Sequence, residues 1–308
     1  MTPAASPAEK PSRPPRRWAR WHAVTRNWEL YLLILPVVLY FLLFHYKPMF
    51  GVQLAFKNFV AIRGIWGSPW VGFTHFQRFF QSYYFARLMR NTLGISLYSL
   101  AVGFPMPILL ALFLNELKNL RYKKLVQMVT YAPHFLSVVV VVGILDLLLS
   151  PRGGPVNNMI AALGGEKIHF MADPVWFKTI YVLSGVWQGM GWGSVIYIAA
   201  IASIDPQLFE AATIDGASRM QRIAHITLPS IFPTAVLLLI LNTGSLMNVG
   251  FDKVFLMQNA QNMDASDVIA TYVYRSGLLQ ADYSFSTAVG LFNAVVNFVL
   301  LASVNAVA

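Results

Sequence analysis

The sequence predicts an all-α membrane protein with six transmembrane helices, on three observations. Of the 308 residues, 56% are apolar and only 12% are charged, with a mean hydropathy of +0.55, whereas soluble globular proteins carry about 25% charged residues. The apolar residues also fall in long runs, and a bilayer core of about 30 Å takes about 20 helical residues. The runs suited to spanning lie near residues 30–44, 91–114, 125–149, 176–202, 231–249 and 287–308.

The first 28 residues differ from the rest of the chain. They are rich in Pro, Ala, Ser and Arg, a composition that does not bury a core, so we predict a basic cytoplasmic tail over residues 1–28 and a six-helix domain over 29–308. Trp18 and Trp21 beside the arginines suit contact with membrane lipid. The run at 30–44 is followed by His45, Tyr46, Lys47 and Pro48 rather than by a small-residue cleavage site. It is therefore predicted to be an uncleaved first span.

Charge sets the predicted orientation. The net charge is +10, and basic residues collect in short cytoplasmic loops. The loop 115–124 carries four basic residues in ten, which predicts that it and both termini lie in the cytoplasm. Loops 47–90, 150–175 and 250–286 then face outside with ten Lys and Arg. Long loops tolerate such charge, and an outer surface that meets an acidic substrate is the alternative.

Within the fourth span, Gly185, Gly189 and Gly193 recur every four residues and share one helix face. Small residues at this spacing favour close helix packing. In the third span, His134 follows Pro133 at a predicted kink, and Asp146 lies near the outer end, where it can reach the interface or pair.

Polar and aromatic side chains inside the spans are candidates for a substrate path, because exposing them to lipid is costly. The alternative for each is a hydrogen bond between helices. The candidates are Trp187, Gln188, Trp192, Asn242, Asn248, Asn293 and Asn297.

The segment 203–230 is too polar to span and is predicted to be a cytoplasmic loop. Asp205 can cap a helix whose first residue is Pro206, and Gly216 can take the left-handed conformation that ends it. A second helix is predicted from Ala217 until Pro229 and Pro233 reshape the backbone. On the first helix, Ala211 and Ala212 add little bulk and suit close contact with another protein; an ordinary amphipathic loop is the alternative.

The residues of this loop resemble a known family motif. Glu210, Ala211 and Ala212, then Gly216, and after nine residues Ile226, Leu228 and Pro229 resemble the EAA loop of binding-protein-dependent ABC importer permeases, which are type I permeases with the MetI-like fold. In that family the loop forms a coupling helix that sits in a cleft of the ATPase subunit. The resemblance implies ATPase coupling for the residues at and beside the motif, which are Glu210, Ala211, Ala212, Asp215, Gly216 and Ala217.

The resemblance extends over most of the chain. Segments 44–51 (FHYKPMFG), 70–72, 91–93, 132–137 (APHFLS), 191–197 and 272–275 are similar to permeases that import oligosaccharides and polysaccharide fragments, and most similar to subunits of alginate importers. The family implies a second permease as heterodimer partner, two ATPase subunits or domains, a periplasmic solute-binding protein and an oligo- or polysaccharide substrate. It implies no cofactor on this chain, with ATP and Mg on the ATPase, and no nucleic acid.

Other classes of function fit less well. The chain has no cysteine, P-loop, HExxH or GxSxG pattern, and its six histidines form no ligand-spaced pair, so we predict a transport subunit and no metal or catalytic site. A gradient-driven secondary transporter would carry ionisable groups deep in several spans, and only His134 and Asp146 approach that description. A permease for another oligosaccharide is the nearer alternative.

Overall fold

The computed structural model describes residues 28–307, and the basic tail predicted at 1–28 lies outside them apart from Trp28. Within that range the regular structure is helical, with one isolated antiparallel bridge between Lys57 and Trp70. Besides the one-turn helices Lys47–Met49 and Gly64–Gly67, the α-helices up to the middle of the chain are α1 Trp28–Phe41, α2 Thr74–Phe80, α3 Phe85–Gly103, α4 Pro105–Glu116, α5 Leu120–Tyr131, α6 Val138–Leu149 and α7 Pro155–Ala162. Those that follow are α8 Pro174–Ala202, α9 Pro206–Ile214, α10 Arg219–Arg222, α11 Leu228–Thr243, α12 Phe251–Met257, α13 Met263–Ser266, α14 Ile269–Tyr274 and α15 Tyr283–Val307.

Each of the six predicted apolar runs contains helix. Four uninterrupted helical stretches among the described residues are long and apolar enough to cross a membrane, and up to six spans result if each of two bent helix pairs is one span. The four stretches are Trp28–Phe56, Phe85–Glu116, Arg219–Thr243 and Tyr283–Ala306.

The third predicted span is not one continuous helix. Leu120–Phe135 and Val138–Leu149 meet at an angle of 104°. The chain becomes extended at Leu136 and Ser137, and the Ser137 hydroxyl then caps α6 by accepting from Val140 N at 3.3 Å. A serine cap after the Pro133 turn starts a new helix, so the kink predicted at His134 is a full break.

Contacts divide the chain into two compact units, between Gln53 and Leu54. In the first unit, α1 contains Pro36 and continues through a π-helical turn at Leu42–Tyr46, and none of the residues of these two elements is buried. Apart from Glu29 in its first turn the helix is apolar, and an apolar helix with every face exposed is what a lipid-embedded segment requires.

The second unit is organised around α8, the longest helix described. Asp173 caps α8 by accepting from Val175 N at 2.9 Å, and Pro174 occupies the first turn. α8 contacts α3, α4, α5, α11 and α13. Buried side chains along it, among them Phe177, Ile180 and Tyr197, belong to two separate hydrophobic clusters near its two ends.

The fifth span is shorter than predicted at its far end and longer at its near end. It stops at Thr243 rather than near 249, because Gly244 and the residues after it form turns. The prolines do not end the preceding helix: a π-helical turn at Ile223–Thr227 joins α10 to α11. A wider turn at this point makes room for the ring of Pro229, which would clash with the carbonyl four residues before it in a regular α-helix.

Candidate functional site

The polar loop between the fourth and fifth spans folds into a separate short helix, α9, set at 71° to α8. As the sequence predicts, Asp205 caps it, with the carboxylate accepting from Gln207 N at 2.9 Å, and Pro206 follows at the first position. Gly216 has φ +77°, the left-handed conformation that glycine adopts without steric cost. The N–H of Ala217 donates to Ala212 O at 2.9 Å and closes the helix end.

The surface of α9 is open. None of its residues is buried, and Glu210, Ala211, Asp215 and Gly216 are exposed, while Ala212 and Ala217 are half-buried. Apolar side chains of the same loop also face outward: Leu208 is 51% exposed, Ile214 86% and Met220 72%. An exposed helix with small residues and an apolar rim is typical of a surface that docks another protein.

A second short element supports α9. The predicted second helix begins at Arg219 rather than Ala217, because Ser218 is extended and forms a capping box with Gln221. Arg222 Nη1 donates to Thr213 Oγ1 at 2.6 Å. The loop is therefore held in one shape by contacts within itself.

A cavity of about 570 Å³ lies in the second unit between α3, α4, α8, α11 and the segment that leads into α12. Of the candidate path residues, Gln188, Asn242 and Asn248 line it. Gly185, Gly189 and Gly193 line it as well. Hydroxyl groups and amides around an open space of this size are the kind of lining that hydrogen-bonds sugar hydroxyls.

The remaining candidate path residues lie elsewhere. Trp192 stacks on His134, with ring centroids 4.9 Å apart and 2° between the planes, and Trp187 is 41% exposed; neither lines the cavity. Asp146 is exposed and makes no ion pair with any described residue.

Three asparagines meet where the fifth span ends against the sixth. Asn293 and Asn297 both donate through Nδ2 to Asn248 Oδ1, at 2.9 and 3.1 Å. Asn297 Oδ1 also accepts from Met247 N at 2.9 Å. Asn293 and Asn297 thus hydrogen-bond from α15 to the segment that follows α11, and Asn248 has both these partners and a place at the cavity.

The glycines of α8 differ in how closely neighbouring residues approach them. A Cβ at Gly193 would lie 3.1 Å from Pro107 Cγ, a close approach to α4, whereas one at Gly189 would meet nothing within 4 Å. The tightest approach is at Gly191, where a Cβ would lie 2.0 Å from Thr130 O. The four-residue spacing does not include Gly191, although it too is a glycine of the same GMGWG run.

Several of the basic residues predicted to face outside are paired. Asp267, whose side chain is fully buried, accepts from Arg275 at 2.7 Å and from Arg87 at 3.0 Å, and Arg87 also pairs with Asp264 at 3.0 Å. We call these four residues the Asp267 cluster. Arg78 pairs with Asp282 at 2.7 Å. Arg87 and Arg275, which bind the buried Asp267, therefore hold the fold together, whereas the Arg78 side chain stays 60% exposed.

Lys253 is the charged residue at the cavity, and the sequence does not predict its place there. It lies on α12, is 8% exposed, and lines the cavity. In the sequence it is one of ten basic residues in the loops predicted to face outside. Its neighbours in the fold, such as Tyr181 on α8, are about 70 positions away in the chain, so no local pattern marks it.

Comparisons with known proteins agree with this architecture. The family model described as "Binding-protein-dependent transport system inner membrane component" matches residues 103–308. The chain is 47% identical over 279 residues to the polygalacturonan/rhamnogalacturonan transport system permease protein YteP of Bacillus subtilis, covering 91% of this chain and 87% of that protein. It is 45% identical over 286 residues to Protein LplB of the same organism, covering 93% and 90%.

A solved structure is similar along its whole length. It is a crystal structure of a bacterial ABC transporter involved in the import of the acidic polysaccharide alginate, matched with a TM-score of 0.87 and 45% identity over 94% of this chain and 98% of that chain. The matched family consists of transport subunits and not of enzymes. On the family match and these identities, the chain belongs to the inner membrane components of binding-protein-dependent transport systems, the MetI-like permeases of ABC importers.

Proposed function

We propose that this chain forms one half of the membrane path of an ATP-driven importer that takes up an oligo- or polysaccharide, with alginate as a candidate, from a periplasmic solute-binding protein. The observation that carries the proposal is α9, an exposed helix that stands between two spans and bears the EAA residues Glu210, Ala211 and Ala212. A helix that is not buried in its own chain has its surface free for a partner.

The coupling step follows from the rigidity of this loop. Because Arg222 joins α10 to Thr213 at the end of α9, and α10 continues through the π-helical turn into α11, a force on α9 reaches the fifth span. α11 and α8 both line the cavity. Movement of α9 by a closing ATPase would therefore change the walls of the cavity, which is the two-state coupling that transport requires.

The partners in this proposal are a second permease, two ATPase subunits or domains that bind ATP and Mg, and the solute-binding protein. Glu210 and Asp215 are acidic and exposed, and suit basic side chains of an ATPase cleft, while Ala211, Ala212, Gly216 and Ala217 allow close approach. One solved structure at 45% identity is described as an alginate ABC transporter in complex with an alginate pentasaccharide-bound periplasmic protein, which supports the same assembly here. The bacterial inner membrane with the N-terminus in the cytoplasm is the orientation that puts α9 on the ATPase side.

The test is uptake of labelled oligosaccharides into vesicles that contain this chain with its partner permease and ATPase. We expect uptake only when ATP is inside and the loaded binding protein is outside. A proton or sodium gradient without ATP should give none. Uptake driven by a gradient alone, or ATP-dependent uptake that does not require the binding protein, would contradict the proposal.

A further inference from the structure

Lys253 is a buried cation whose hydrogen-bonding capacity is not satisfied by the described residues around it. Its Nζ donates one hydrogen bond, to Tyr181 O at 3.0 Å, and lies 4.9 Å from the centre of the Tyr181 ring. No carboxylate of the described residues forms an ion pair with it. An ammonium has three donors, and buried charges are normally paired, so this group retains unused hydrogen-bonding capacity.

Lys57, the other lysine below 9% exposure in the described part of the chain, shows the contrast. It is 3% exposed, and its Nζ donates to Ile65 O at 2.9 Å and to Trp66 O at 3.4 Å. The rings of Trp70 and Trp66 lie 4.8 and 5.9 Å from the same atom. Two carbonyls and two aromatic faces therefore enclose Lys57, and it does not line the cavity.

A glycine borders the space around Lys253 Nζ. A Cβ at Gly185 would lie 3.5 Å from Nζ, and Gly185 lines the cavity together with Lys253. The ammonium thus has access to the cavity past a position that has no side chain.

Burial without a counter-ion lowers the pKa of Lys253 to about 8. This value remains above 7, so the ammonium is the major form in neutral solution. Maintaining a desolvated cation costs stability unless an anion joins it, and that anion is not supplied by the described residues.

We infer that Lys253 binds a carboxylate of the substrate inside the cavity, and so makes the permease selective for sugars that bear carboxylates, such as uronates. The inference rests on the proposed function as an oligosaccharide importer. An ammonium and a carboxylate form a charge-assisted hydrogen bond, while Gln188, Asn242 and Asn248 at the same cavity suit the neutral hydroxyls. The acidic character of alginate and of polygalacturonan, named for relatives of this chain, agrees with such a site.

The experiment compares Lys253→Met, which keeps an unbranched side chain one atom shorter and removes the charge, with Lys253→Arg, which keeps the charge. Vesicles with the full complex and binding protein receive tetragalacturonate, an alginate tetrasaccharide and a neutral tetrasaccharide. We expect Lys253→Met to reduce uptake of the acidic sugar about tenfold or more, the loss of a charged hydrogen bond, and Lys253→Arg to retain most of it. Lys178→Met is the matched control, because Lys178 is on α8 but does not line the cavity, and it should transport like the wild type.

Stability separates this role from a structural one. Removal of an unpaired buried charge does not destabilise a fold in the way that removal of one partner of a pair does, so the complex with Lys253→Met should melt at the wild-type temperature or above. A lower melting temperature with uptake and selectivity unchanged would show that Lys253 is structural, and would overturn the inference.

A second measurement uses only the wild-type complex. Calorimetric titration without the binding protein should show that tetragalacturonate loses affinity about tenfold or more when its carboxyl groups are reduced to alcohols. Three results would overturn the inference while leaving an oligosaccharide importer in place. They are equal affinity for tetragalacturonate and its reduced form, unchanged uptake of the acidic sugars by Lys253→Met, and import of only the neutral sugar by the wild-type complex. Import of none of the three sugars would instead contradict the proposed function.

Discussion

The α9 loop and the Asp267 cluster differ in how far apart their partners lie in the chain. Within the loop the bonds are local, such as Asp205 to Gln207 and Thr213 to Phe209, and the surface is exposed. In the cluster, Arg87 bonds to Asp267 across 180 positions, and the Asp267 side chain has no exposed surface. A surface built locally and left open can bind a partner and release it, whereas a buried long-range pair fixes the fold. Substitutions in the cluster should therefore change stability, and substitutions in the loop should change coupling.

The largest effect is expected for Asp267→Asn. The substitution leaves two arginines together without the carboxylate that both of them bind, and breaking a buried ion pair in this way costs about 3–5 kcal/mol. The measurement is the denaturant-induced unfolding of the purified permease in detergent.

Asp264→Asn is the control for this prediction. Asp264 also pairs with Arg87, but its side chain is 79% exposed, and exposed pairs contribute about 0–1 kcal/mol. Similar losses for the two variants would show that burial does not distinguish the cluster from the surface.

Gly191→Ala should have the next largest effect. A Cβ there would meet the main-chain carbonyl of Thr130 at 2.0 Å, so α8 and α5 must separate, and overpacking of this kind costs about 1–3 kcal/mol. Gly189→Ala, two residues away with nothing within 4 Å, should stabilise the helix by roughly 0.5–1 kcal/mol. Thermal unfolding of the two variants in parallel checks the difference in sign, and equal destabilisation would refute the close contact.

The variant Gly216→Ala tests the turn that ends α9. The left-handed conformation at φ +77° costs an alanine roughly 1–2 kcal/mol, which is expected to disorder the end of α9 while the spans stay folded. The expected result is a modest fall in stability with a larger fall in ATP-driven uptake. Gly216→Asn should recover part of the uptake, because asparagine tolerates this conformation better; equal uptake by both variants at the wild-type level would show that the turn does not position α9.

Glu210→Ala should change stability least. An exposed residue of this kind affects unfolding by no more than about 0.5 kcal/mol, and Glu210 makes no hydrogen bond or ion pair within the described residues that would add to this. We nevertheless expect it to weaken ATPase binding or to uncouple hydrolysis from uptake, measured as transported sugar per ATP hydrolysed. Normal assembly, stimulated hydrolysis and uptake in this variant would remove Glu210 from the coupling surface.

The difference between local and long-range contacts also explains how much of the fold and of the candidate site the sequence predicts. The apolar helices and the α9 loop follow from local information, since apolar runs, the Asp205 and Pro206 start and the glycine at 216 each involve only nearby positions. The break in the third span also had local signals, Pro133 and Ser137, which the continuous apolar pattern after them concealed. Lys253 and Asp267 had none, because burial and pairing there depend on side chains brought together from distant parts of the chain.

The most direct test of the coupling role uses the absence of cysteine among these 308 residues. Ala211→Cys and, as control, Ile62→Cys, which is 98% exposed in the loop before α2, each introduce a single thiol for a photoactivated cross-linker. We predict that the thiol at position 211 links to the ATPase with a yield that changes when ATP binds, and that the thiol at position 62 does not link to it. Failure of position 211 to capture the ATPase, or its labelling from the outer side by a membrane-impermeant reagent, would contradict the assignment of α9 as the coupling helix.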